Sequence, residues 1–386
     1  MQISFAASPR TSLGIEWELE LVDLETRELS SAASQILAEL GTGHPEGIHP
    51  KAKHELLEST IEVITGVCST VAEATSDLAQ TVAEVSSVSE RLGLALMCSG
   101  THPFTDWSTQ QVTDMPRYRT LVAQMQWLAR RLQIFGVHVH VGVRAQEKAI
   151  PIVNALTGYI PQLLALSASS PYWMGTDTGL ASARSKIFEG LPTAGLPYQL
   201  SGWEQFESYI EMLISTRTIE TIREVWWDIR PHPNFGTVEL RIFDGLPTLS
   251  EVGTVAALAQ CLVEQFDIQL DRGYTLPVPK SWTVRENKWR AARYGLEAQI
   301  IIDDRGRTAP VQASLTELAA ELAPLADRLG CSKELARIDD IVRQGASYQR
   351  QRQVAAAHGG DLRAVVDALV VEMRTGSPVY DDRHPL

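Results

Sequence analysis

Glutamate and histidine alternate with apolar residues in several segments of the chain, which could place a metal-binding surface on one face of a sheet. Glu16 and Glu18 alternate in this way in LGIEWELELVDL, and His138 and His140 do so in FGVHVHVGV. Side chains two residues apart on a strand lie on the same face, about 7 Å from each other. Two carboxylates this close repel each other unless a cation lies beside them. Two further pairs have the same parity: Glu58 with Glu62, and Glu239 with Arg241.

Together these segments indicate divalent cations with mainly oxygen ligands. A single polar strand face is typical of a solvated surface. Four such faces, all carrying Glu or His, would repel one another within one sheet unless cations bound them. Carboxylates with an imidazole and no thiolate favour Mg²⁺ or Mn²⁺ over Zn²⁺. We therefore expect a Mg²⁺ site, with Mn²⁺ as an alternative ion.

Arg241 could bind a phosphate beside such a site. It shares a strand face with Glu239 in VELRIF, so the pair could also be an ordinary surface ion pair. Next to a metal cluster, the guanidinium could instead hold a phosphate through two parallel hydrogen bonds. The chain has no Walker A sequence and no GxGxxG after a strand, so metal ions and Arg or Lys would have to hold the phosphates.

The segment 169–189 has the composition of a substrate lid or wall. It combines glycines, hydroxyl side chains and aromatic rings with two basic residues, Arg184 and Lys186. An ordinary surface loop is the alternative. If the segment closes over a site, it would exclude water from a reactive intermediate.

Strands and helices of ordinary length must position these residues. Alternation predicts strands over 13–24, 55–65, 93–99 and 135–143, and a strand at the end of 223–243. Helical spacing predicts helices over 71–92, 119–134, 150–168, 203–218 and 249–271. A hairpin is expected at 297–303 and 308–312, and helices over 314–374.

This order of elements favours an α+β fold with an antiparallel sheet. The strands at 13–24 and 55–65 are not joined by one helix in a βαβ rhythm, which argues against a parallel, doubly wound sheet. There is no internal repeat, and no linker marks a boundary. We expect a single domain over residues 1–386, with a helical C-terminal portion from about 314.

The composition excludes several classes of partner. The 386 residues carry 34 basic and 47 acidic side chains, a formal net charge of −13. This balance argues against general binding to nucleic acids or to anionic membranes. The N-terminal sequence does not resemble a signal peptide, and no run of about 18 apolar residues suggests a membrane span. The four cysteines form no CxxC pair, which favours a reducing, cytoplasmic location.

Seven stretches, in order over nearly 300 residues, resemble the type 2 glutamate–cysteine ligase family, also called carboxylate–amine ligases. Each is weak alone, but together they are specific. They are GIEWE (14–18), ELLESTIEVITG (55–66), SGTHPF (99–104), GVHVHVGV (136–143), SSPYWMGTDTGLASARS (169–185), WWDIRPHPNFGTVELRIFD (226–244) and ENKWRAARYGL (286–296).

The resemblance implies a glutamine-synthetase-like α+β catalytic domain, with a curved, mainly antiparallel sheet flanked by helices. It implies ATP and several Mg²⁺ ions on one face of this sheet, and it suggests a homodimer. The implied reaction activates a carboxylate, usually the γ-carboxylate of glutamate, as an acyl phosphate, which an amine, usually that of cysteine, then attacks.

The resemblance also implies roles for individual residues. Arg241 would face the phosphates, and Arg184 would suit a carboxylate of the substrate. Lys288, in ENKWRAARYGL, is assigned with Arg241 to the nucleotide. The implied metal ligands are Glu16, Glu18, Glu55, Glu62, His138 and Glu239.

Three positions need comment. Trp17 lies between two implied ligands, but by parity it faces away from the site. Glu20 could be an extra ligand or could lie beyond the cluster. Glu55 and Glu62 are an odd number of residues apart, so a bulge or a preceding turn must re-aim Glu55 toward the common face.

Three other functions fit parts of the pattern. A ligase with the same chemistry could use another acid or amine, such as an amino acid or a polyamine. A non-catalytic sensor could keep the fold and bind nucleotide or amino acid, and it would be expected to have lost a metal ligand. A metal-dependent hydrolase of a small amide would not need ATP.

Overall fold

A seven-stranded antiparallel sheet forms the centre of the protein. The computed structural model describes residues 2–379. The strand order is β2-β3-β1-β5-β9-β8, and β4 pairs with the far end of β1. Two short hairpins, β6-β7 and β10-β11, lie outside it. The strands are β1 Leu13–Asp23, β2 Ala52–His54, β3 Thr60–Ile64, β4 Leu94–Met97, β5 Gly136–Gly142, β6 Tyr172–Trp173, β7 Thr176–Asp177, β8 Ile229–His232, β9 Thr237–Asp244, β10 Gln299–Ile301 and β11 Thr308–Pro310.

Helices cover one side of this sheet, which we call the back face, and form the whole C-terminal portion. Both the α+β class and the antiparallel pairing predicted from the sequence are confirmed. The helices are α1 Ala33–Leu40, α2 Val71–Arg91, α3 Pro116–Met125, α4 Trp127–Arg130, α5 Gln146–Leu156, α6 Ile160–Ser167, α7 Ala183–Phe188, α8 Trp203–Ser215, α9 Leu249–Asp271, α10 Ser281–Tyr294, α11 Val311–Leu329, α12 Ser332–Gln344, α13 Ser347–Ala357 and α14 Leu362–Thr375.

The main hydrophobic core lies between the back face and the helices. The apolar residues of β1 alternate onto this face and are buried, and they pack with α2 and α9. Trp17 is one of them, and its Nε1 donates a hydrogen bond to the carbonyl of Leu246 at 3.1 Å. The parity argument for Trp17 is therefore confirmed. The opposite side, the front face, receives Glu16 and Glu18.

The predicted strand at 55–65 is wrong in its first half. Regular pairing ends at His54 and resumes at Thr60, with a turn between β2 and β3. The reason is that the backbone carbonyl of Glu58 accepts hydrogen bonds from Ala32 and Ala33 at the start of α1. The Glu58 side chain accepts two more from Ser34, so it lies at α1 and not on the front face.

Two further expectations differ in detail. The predicted helix over 119–134 is split into α3 and α4 at Gln126, whose φ of 50° interrupts the helix. The region before β9 was expected to be a loop, but it contains β8. Pro231 argues against a strand in the sequence, because proline cannot donate a hydrogen bond within a sheet. β8 is an edge strand, where the missing donor costs no sheet hydrogen bond.

One helical stretch, Gln146–Ser167, is long and apolar enough to cross a membrane by length and composition. The sequence predicts a helix over 150–168 but no apolar run of membrane-spanning length. In the structure, 83% of its most apolar window is buried within the protein. Such burial is typical of a core helix in a soluble protein, which explains its apolar character.

Candidate active site

Cross-strand pairing brings the alternating acids and imidazoles together on the front face. Glu18 lies opposite Glu62 of β3, and Glu16 lies opposite His138 of β5. On the next strand, His140 lies opposite Glu239 of β9. The pairs are neighbours because β1 lies between β3 and β5 in the sheet.

Three sets of side chains on this face have their ligand atoms within 4.8 Å of one another. The acidic group is Glu18, Glu55 and Glu62. The first imidazole group is Glu16, Glu62 and His138, and the second is Glu16, His140 and Glu239. Two carboxylates are shared, because Glu62 belongs to the first two groups and Glu16 to both imidazole groups.

The acidic group is electrostatically strained without a cation. Burial raises the pKa of Glu18 to about 8, and the nearby Glu55 adds to this shift. Burial also raises the pKa of Glu62 well above its usual value, with further contributions from Glu16, Glu55 and Glu18. The pKa of Glu55 is raised by burial as well. At neutral pH these carboxylates either retain protons or need positive charge beside them.

The imidazole groups have a different charge balance. Burial alone would raise the pKa of Glu16, but hydrogen bonds with His138 and His140 hold it well below its usual value. His138 Nδ1 lies 3.0 Å from Glu16 Oε2, and His140 Nε2 lies 3.4 Å from Glu16 Oε1. Burial and the positive Arg241 lower the pKa of His138 to about 4, so this imidazole is neutral and can act as a ligand.

The donor set fits Mg²⁺ or Mn²⁺. It consists of carboxylate oxygens with two imidazoles, and the described residues offer no thiolate there. The buried Nε2 atom of His138 has no hydrogen-bond partner among residues 2–379. A buried nitrogen without a partner is costly, and coordination to a cation would satisfy it.

Arg241 projects onto the same face beside the imidazole groups. Its Nη1 donates to Glu239 Oε1 at 2.6 Å and lies 3.4 Å from His138 Nδ1. Its Nε is buried and has no partner among the described residues. Arg230 lies on the other side of Glu239, but it donates to that carboxylate and to two backbone carbonyls. Of these two arginines, Arg241 is therefore the one with a donor left for a ligand.

A bulge in β9 places Asp244 on the front face, near Arg184. The pairing of β5 with β9 shifts between Val137 and Val139, so two residues of β9 lie opposite His138. The shift changes the parity of β9 and turns Asp244 toward the front face. The Arg184 Nη1 atom lies 4.0 Å from Asp244 Oδ1, and the Arg184 Nε atom is buried without a partner in the described chain.

Arg184 needs the glycine at position 136. A Cβ at Gly136 would collide with the Arg184 guanidinium, which packs directly on that backbone. The N–H of Gly136 also donates to Glu18 Oε2 at 2.5 Å. The guanidinium therefore lies at the Glu18 end of the acidic group, and Glu18 contributes to its electrostatic environment.

Asp244 also fixes the base of the segment 169–189. It accepts hydrogen bonds from the Ser169 N–H at 3.1 Å, from Ser170 Oγ at 2.6 Å and from Ser182 Oγ at 2.8 Å. Only residues 174–177, at the tip of the β6-β7 hairpin, are exposed. The geometry thus favours a wall with a short exposed tip over an open loop.

Lys288 does not join the other predicted residues. It is 2% exposed, and its Nζ lies 2.6 Å from both Asp228 Oδ2 and Glu189 Oε1. The Asp228 carbonyl accepts from the Arg241 N–H at 2.7 Å, so this ion triad lies next to the backbone of Arg241. The pairing favours a structural role, linking α10 to α7, over contact with a nucleotide.

The other predicted positions are accounted for as follows. Glu55 follows β2 in the turn, which provides the re-aiming that its parity required. Glu20 belongs to none of the three ligand groups, because its Oε1 accepts two hydrogen bonds from Ser99 instead. All six implied metal ligands, with Arg241 and Arg184, lie on or beside the front face.

Sequence reasoning missed two residues of the site. Alternation placed His140 on the correct face, but nothing in the sequence identified it as the centre of a third ligand group. Asp244 was missed because a bulge has no signature in TVELRIFD. Its only signal was an acid directly after a strand that already carried Glu239 and Arg241.

The chain is similar to known proteins over its whole length. The family model described as "Glutamate-cysteine ligase family 2 (GCS2)" matches residues 12–368. A protein of Frankia casuarinae named "Putative glutamate--cysteine ligase 2-1" is 64% identical over 381 residues, covering 99% of this chain and all of that protein. A protein of Thermobifida fusca named "Putative glutamate--cysteine ligase 2" is 54% identical over 384 residues, covering 100% of this chain and 96% of that protein.

Solved structures share the fold at low sequence identity. A glutamate–cysteine ligase from Francisella tularensis, in complex with AMP, matches with a TM-score of 0.68 at 14% identity. The match covers 97% of this chain and 90% of that one. A bifunctional glutathione synthetase from Pasteurella multocida matches with a TM-score of 0.66 at 16% identity, covering 95% of this chain and 52% of that one.

Proposed function

Because the chain belongs to glutamate–cysteine ligase family 2, we propose that it forms γ-glutamylcysteine from glutamate and cysteine in the cytoplasm, with ATP as the energy source. Membership itself makes the chain an ATP-dependent ligase that joins a carboxylate to an amine. The observation that carries the proposal is the front face, where three overlapping groups of metal-type ligands lie beside Arg241 and Arg184.

The reaction needs activation because a carboxylate is a poor acyl donor. An oxygen of the γ-carboxylate attacks the γ-phosphorus of ATP, and ADP leaves. The amine nitrogen then attacks the carbonyl carbon of the acyl phosphate, inorganic phosphate leaves with the C–O bonding pair, and the nitrogen loses a proton. Phosphoryl transfer depends mainly on positioning and on electrostatic stabilisation, which a preorganised polar face supplies.

The three ligand groups would hold Mg²⁺ ions, which when bound neutralise charge on the phosphates and on the carboxylates around them. Shared ligands such as Glu16 and Glu62 would keep neighbouring ions close together.

Arg241 and Arg184 supply fixed positive charge from the β9 side. The free donors of Arg241 suit the oxygens of the transferred phosphoryl group, whose charge is spread over three atoms. Arg184 belongs to the segment 169–189, is buried, and suits a carboxylate of the acid substrate. The wall fixed by Asp244 would shield the acyl phosphate from water.

Two of the alternative functions are less well supported. A sensor would be expected to have lost a ligand, yet each of the three groups carries ligating side chains. A hydrolase that does not use ATP does not fit membership in a ligase family. A ligase for a different acid or amine would use the same front face. Assays with different amines, described next, are needed to separate this alternative from the leading proposal.

The test is to follow ADP release with Mg²⁺, ATP and glutamate while amines are added one at a time. We expect cysteine to stimulate release and mass spectrometry to detect γ-glutamylcysteine. Stimulation by another amine would keep the ligase mechanism and change the substrate. No ADP release with any acid and amine, despite nucleotide binding, would contradict the proposal. Size-exclusion chromatography with light scattering would test the predicted homodimer.

A further inference from the structure

Helix α3 lies next to the acidic group and is attached to the protein by few buried side chains. Of its ten residues, only Tyr118 is buried. Tyr118 packs with Leu56 and Leu57 in a small hydrophobic cluster that is separate from the main core. Leu56 directly follows Glu55, so α3 is attached at the turn that carries one of the acidic ligands.

Arg117 is held over the same turn by a specific set of contacts. Its Nη2 donates to the His54 carbonyl at 3.1 Å and to the Tyr118 hydroxyl. Its Cζ lies 4.3 Å from the centre of the Tyr118 ring. The Tyr118 hydroxyl donates to the same carbonyl at 3.1 Å. Fixing an exposed arginine costs up to about 2 kcal/mol of side-chain entropy, so such contacts are uncommon for a solvated side chain.

Balancing the charge of Glu55 does not explain this arrangement. Arg117 opposes the rise in the pKa of Glu55, but burial is stronger and the pKa remains raised. Within residues 2–379, Arg117 forms no ion pair, and its Nε and Nη1 make no hydrogen bond. Arg119, two residues along the same helix, instead pairs with the surface carboxylate of Asp114.

The strand order gives Arg117 a distinct position in the site. Glu55 follows β2 at one edge of the sheet, whereas Arg241 is on β9 toward the other edge. Arg184 and Arg241 therefore supply positive charge on one side of the ligand groups, and Arg117 supplies it on the opposite side. Its unused donors, Nε and Nη1, point away from the occupied Nη2, and each can donate a charge-assisted hydrogen bond to an oxyanion.

We propose that Arg117 binds an oxyanion of a substrate held at the acidic group, and that Tyr118 is the residue that positions it. The oxyanion is a phosphoryl group of ATP or a carboxylate of the acid substrate, so this inference rests on the proposed function. Tyr118 contacts no substrate itself, because its hydroxyl is engaged by the His54 carbonyl and by Arg117.

Calorimetric binding on the full chain tests the proposal without requiring turnover. The two titrants are a non-hydrolysable ATP analogue with Mg²⁺, and glutamate in the presence of that analogue. For Arg117→Met, we expect about 10- to 100-fold weaker binding of one titrant, the range for a lost hydrogen bond to a charged group. Arg117→Lys should lose less, and Tyr118→Phe should show a smaller loss for the same titrant.

Arg119→Met is the matched control and should bind both titrants as the wild type does. Weaker binding of the analogue identifies a phosphoryl group as the oxyanion, and weaker binding of glutamate identifies a carboxylate. The corresponding KM should rise more than kcat falls. Affinity for Mg²⁺ alone should not weaken, because a positive charge has been removed from its surroundings.

Three results would overturn the inference: unchanged binding of both titrants by Arg117→Met, an equal loss in Arg119→Met, or a Tyr118→Phe loss for the other titrant. If Arg117→Met fails to fold, the affinities of Arg117→Lys and Tyr118→Phe are compared instead. A loss for the same titrant in both variants supports the inference, and unchanged binding in both overturns it. A wild type that binds both titrants without ligating any amine would contradict the proposed function and leave this comparison valid. A wild type that binds neither would contradict both.

Discussion

Glu62 has an electrostatic environment that would favour a bound cation and that disfavours the ionised side chain without one. It is a member of both the acidic group and the first imidazole group, and burial with three carboxylate neighbours raises its pKa strongly. Such a side chain is expected to destabilise the metal-free protein, because the nearby Lys53 offsets only part of the repulsion. Residues that break local rules in this way are typical of functional sites.

Glu62→Gln should therefore separate function from stability. We expect ATP turnover to fall about 100-fold or more, since even outer-shell partners of metal sites cost about 10- to 100-fold when lost. The metal-free variant should unfold at a temperature equal to or higher than that of the wild type, because repulsion is removed. Steady-state kinetics and calorimetry measure the two effects. Glu58→Gln, four residues away at α1, is the control; normal turnover and metal dependence in Glu62→Gln would contradict the assignment.

His102, away from the three ligand groups, makes stability depend on pH. It is fully buried, and burial lowers its pKa to about 3. Its Nδ1 accepts from the N–H groups of Phe104 and Thr105, and its Nε2 donates to the Arg27 carbonyl at 2.9 Å. Protonation would direct an Nδ1–H at two donors, so the folded state holds the neutral form.

The sign of the effect follows from the lowered pKa. The unfolded chain takes up a proton near pH 6.5 and the folded one does not, so the contribution of His102 is complete above pH 6.5 and is lost as pH falls toward 3. Between pH 6.5 and 5.0 this amounts to about 2 kcal/mol. His102→Gln should flatten the slope of unfolding free energy against pH in urea titrations, although its absolute stability will be lower. An unchanged slope would exclude this role.

At the scale of elements, the bulge in β9 connects catalysis to the segment 169–189. It turns Asp244 to the front face, where it accepts from three groups of the segment and lies near Arg184. Asp244→Asn keeps the size of the side chain but removes its negative charge. It also replaces one accepting oxygen by an NH₂ group, which cannot accept the hydrogen bonds that the segment donates. We expect more ADP released per peptide formed, because water reaches the acyl phosphate, and faster proteolysis near residues 174–177.

The control for this prediction is Asp303→Asn, in the exposed turn between β10 and β11. It should leave the ratio of ADP to product unchanged. If Asp244→Asn released one ADP per peptide formed, as the wild type is expected to, and was proteolysed at the normal rate, the wall would not depend on this carboxylate.

The sequence predicts strands and turns where their geometry imposes a regular spacing of apolar and polar residues. Alternation in β1 separates Trp17 from Glu16 and Glu18, because a strand has a fixed period of two. Parity shows that Glu55 needs a turn, but not that Glu58 would hold α1. The bulge leaves no trace, since one extra residue in an apolar strand looks like ordinary sequence. For the same reason Asp244 could not be found from the sequence, and Arg117 was missed because nothing in the sequence shows that α3 lies beside Glu55.

At the scale of the whole molecule, the ligand groups connect most of the central sheet. Their members come from β1, β3, β5 and β9 and from the turn after β2. A cation bound only by the folded protein stabilises it by about 2.7 kcal/mol at a concentration 100 times its Kd. Because the ligands are distant in sequence, this stabilisation acts on the tertiary structure as a whole.

We therefore expect Mg²⁺ to raise the melting temperature over that in EDTA by several degrees, in a saturable way. Differential scanning fluorimetry measures this, with NaCl at equal ionic strength as the control for screening. Glu62→Gln should lose most of the increase. A shift reproduced fully by NaCl, or retained in the variant, would show that the front face does not bind the ion.

The close packing of Arg184 on Gly136 also constrains how this family can diversify. A side chain at position 136 would occupy the volume that the guanidinium now fills. A larger residue at position 136 would therefore have to displace the Arg184 guanidinium from this place. Among homologues, the two positions should covary, so a larger residue at 136 should accompany a shorter one at 184.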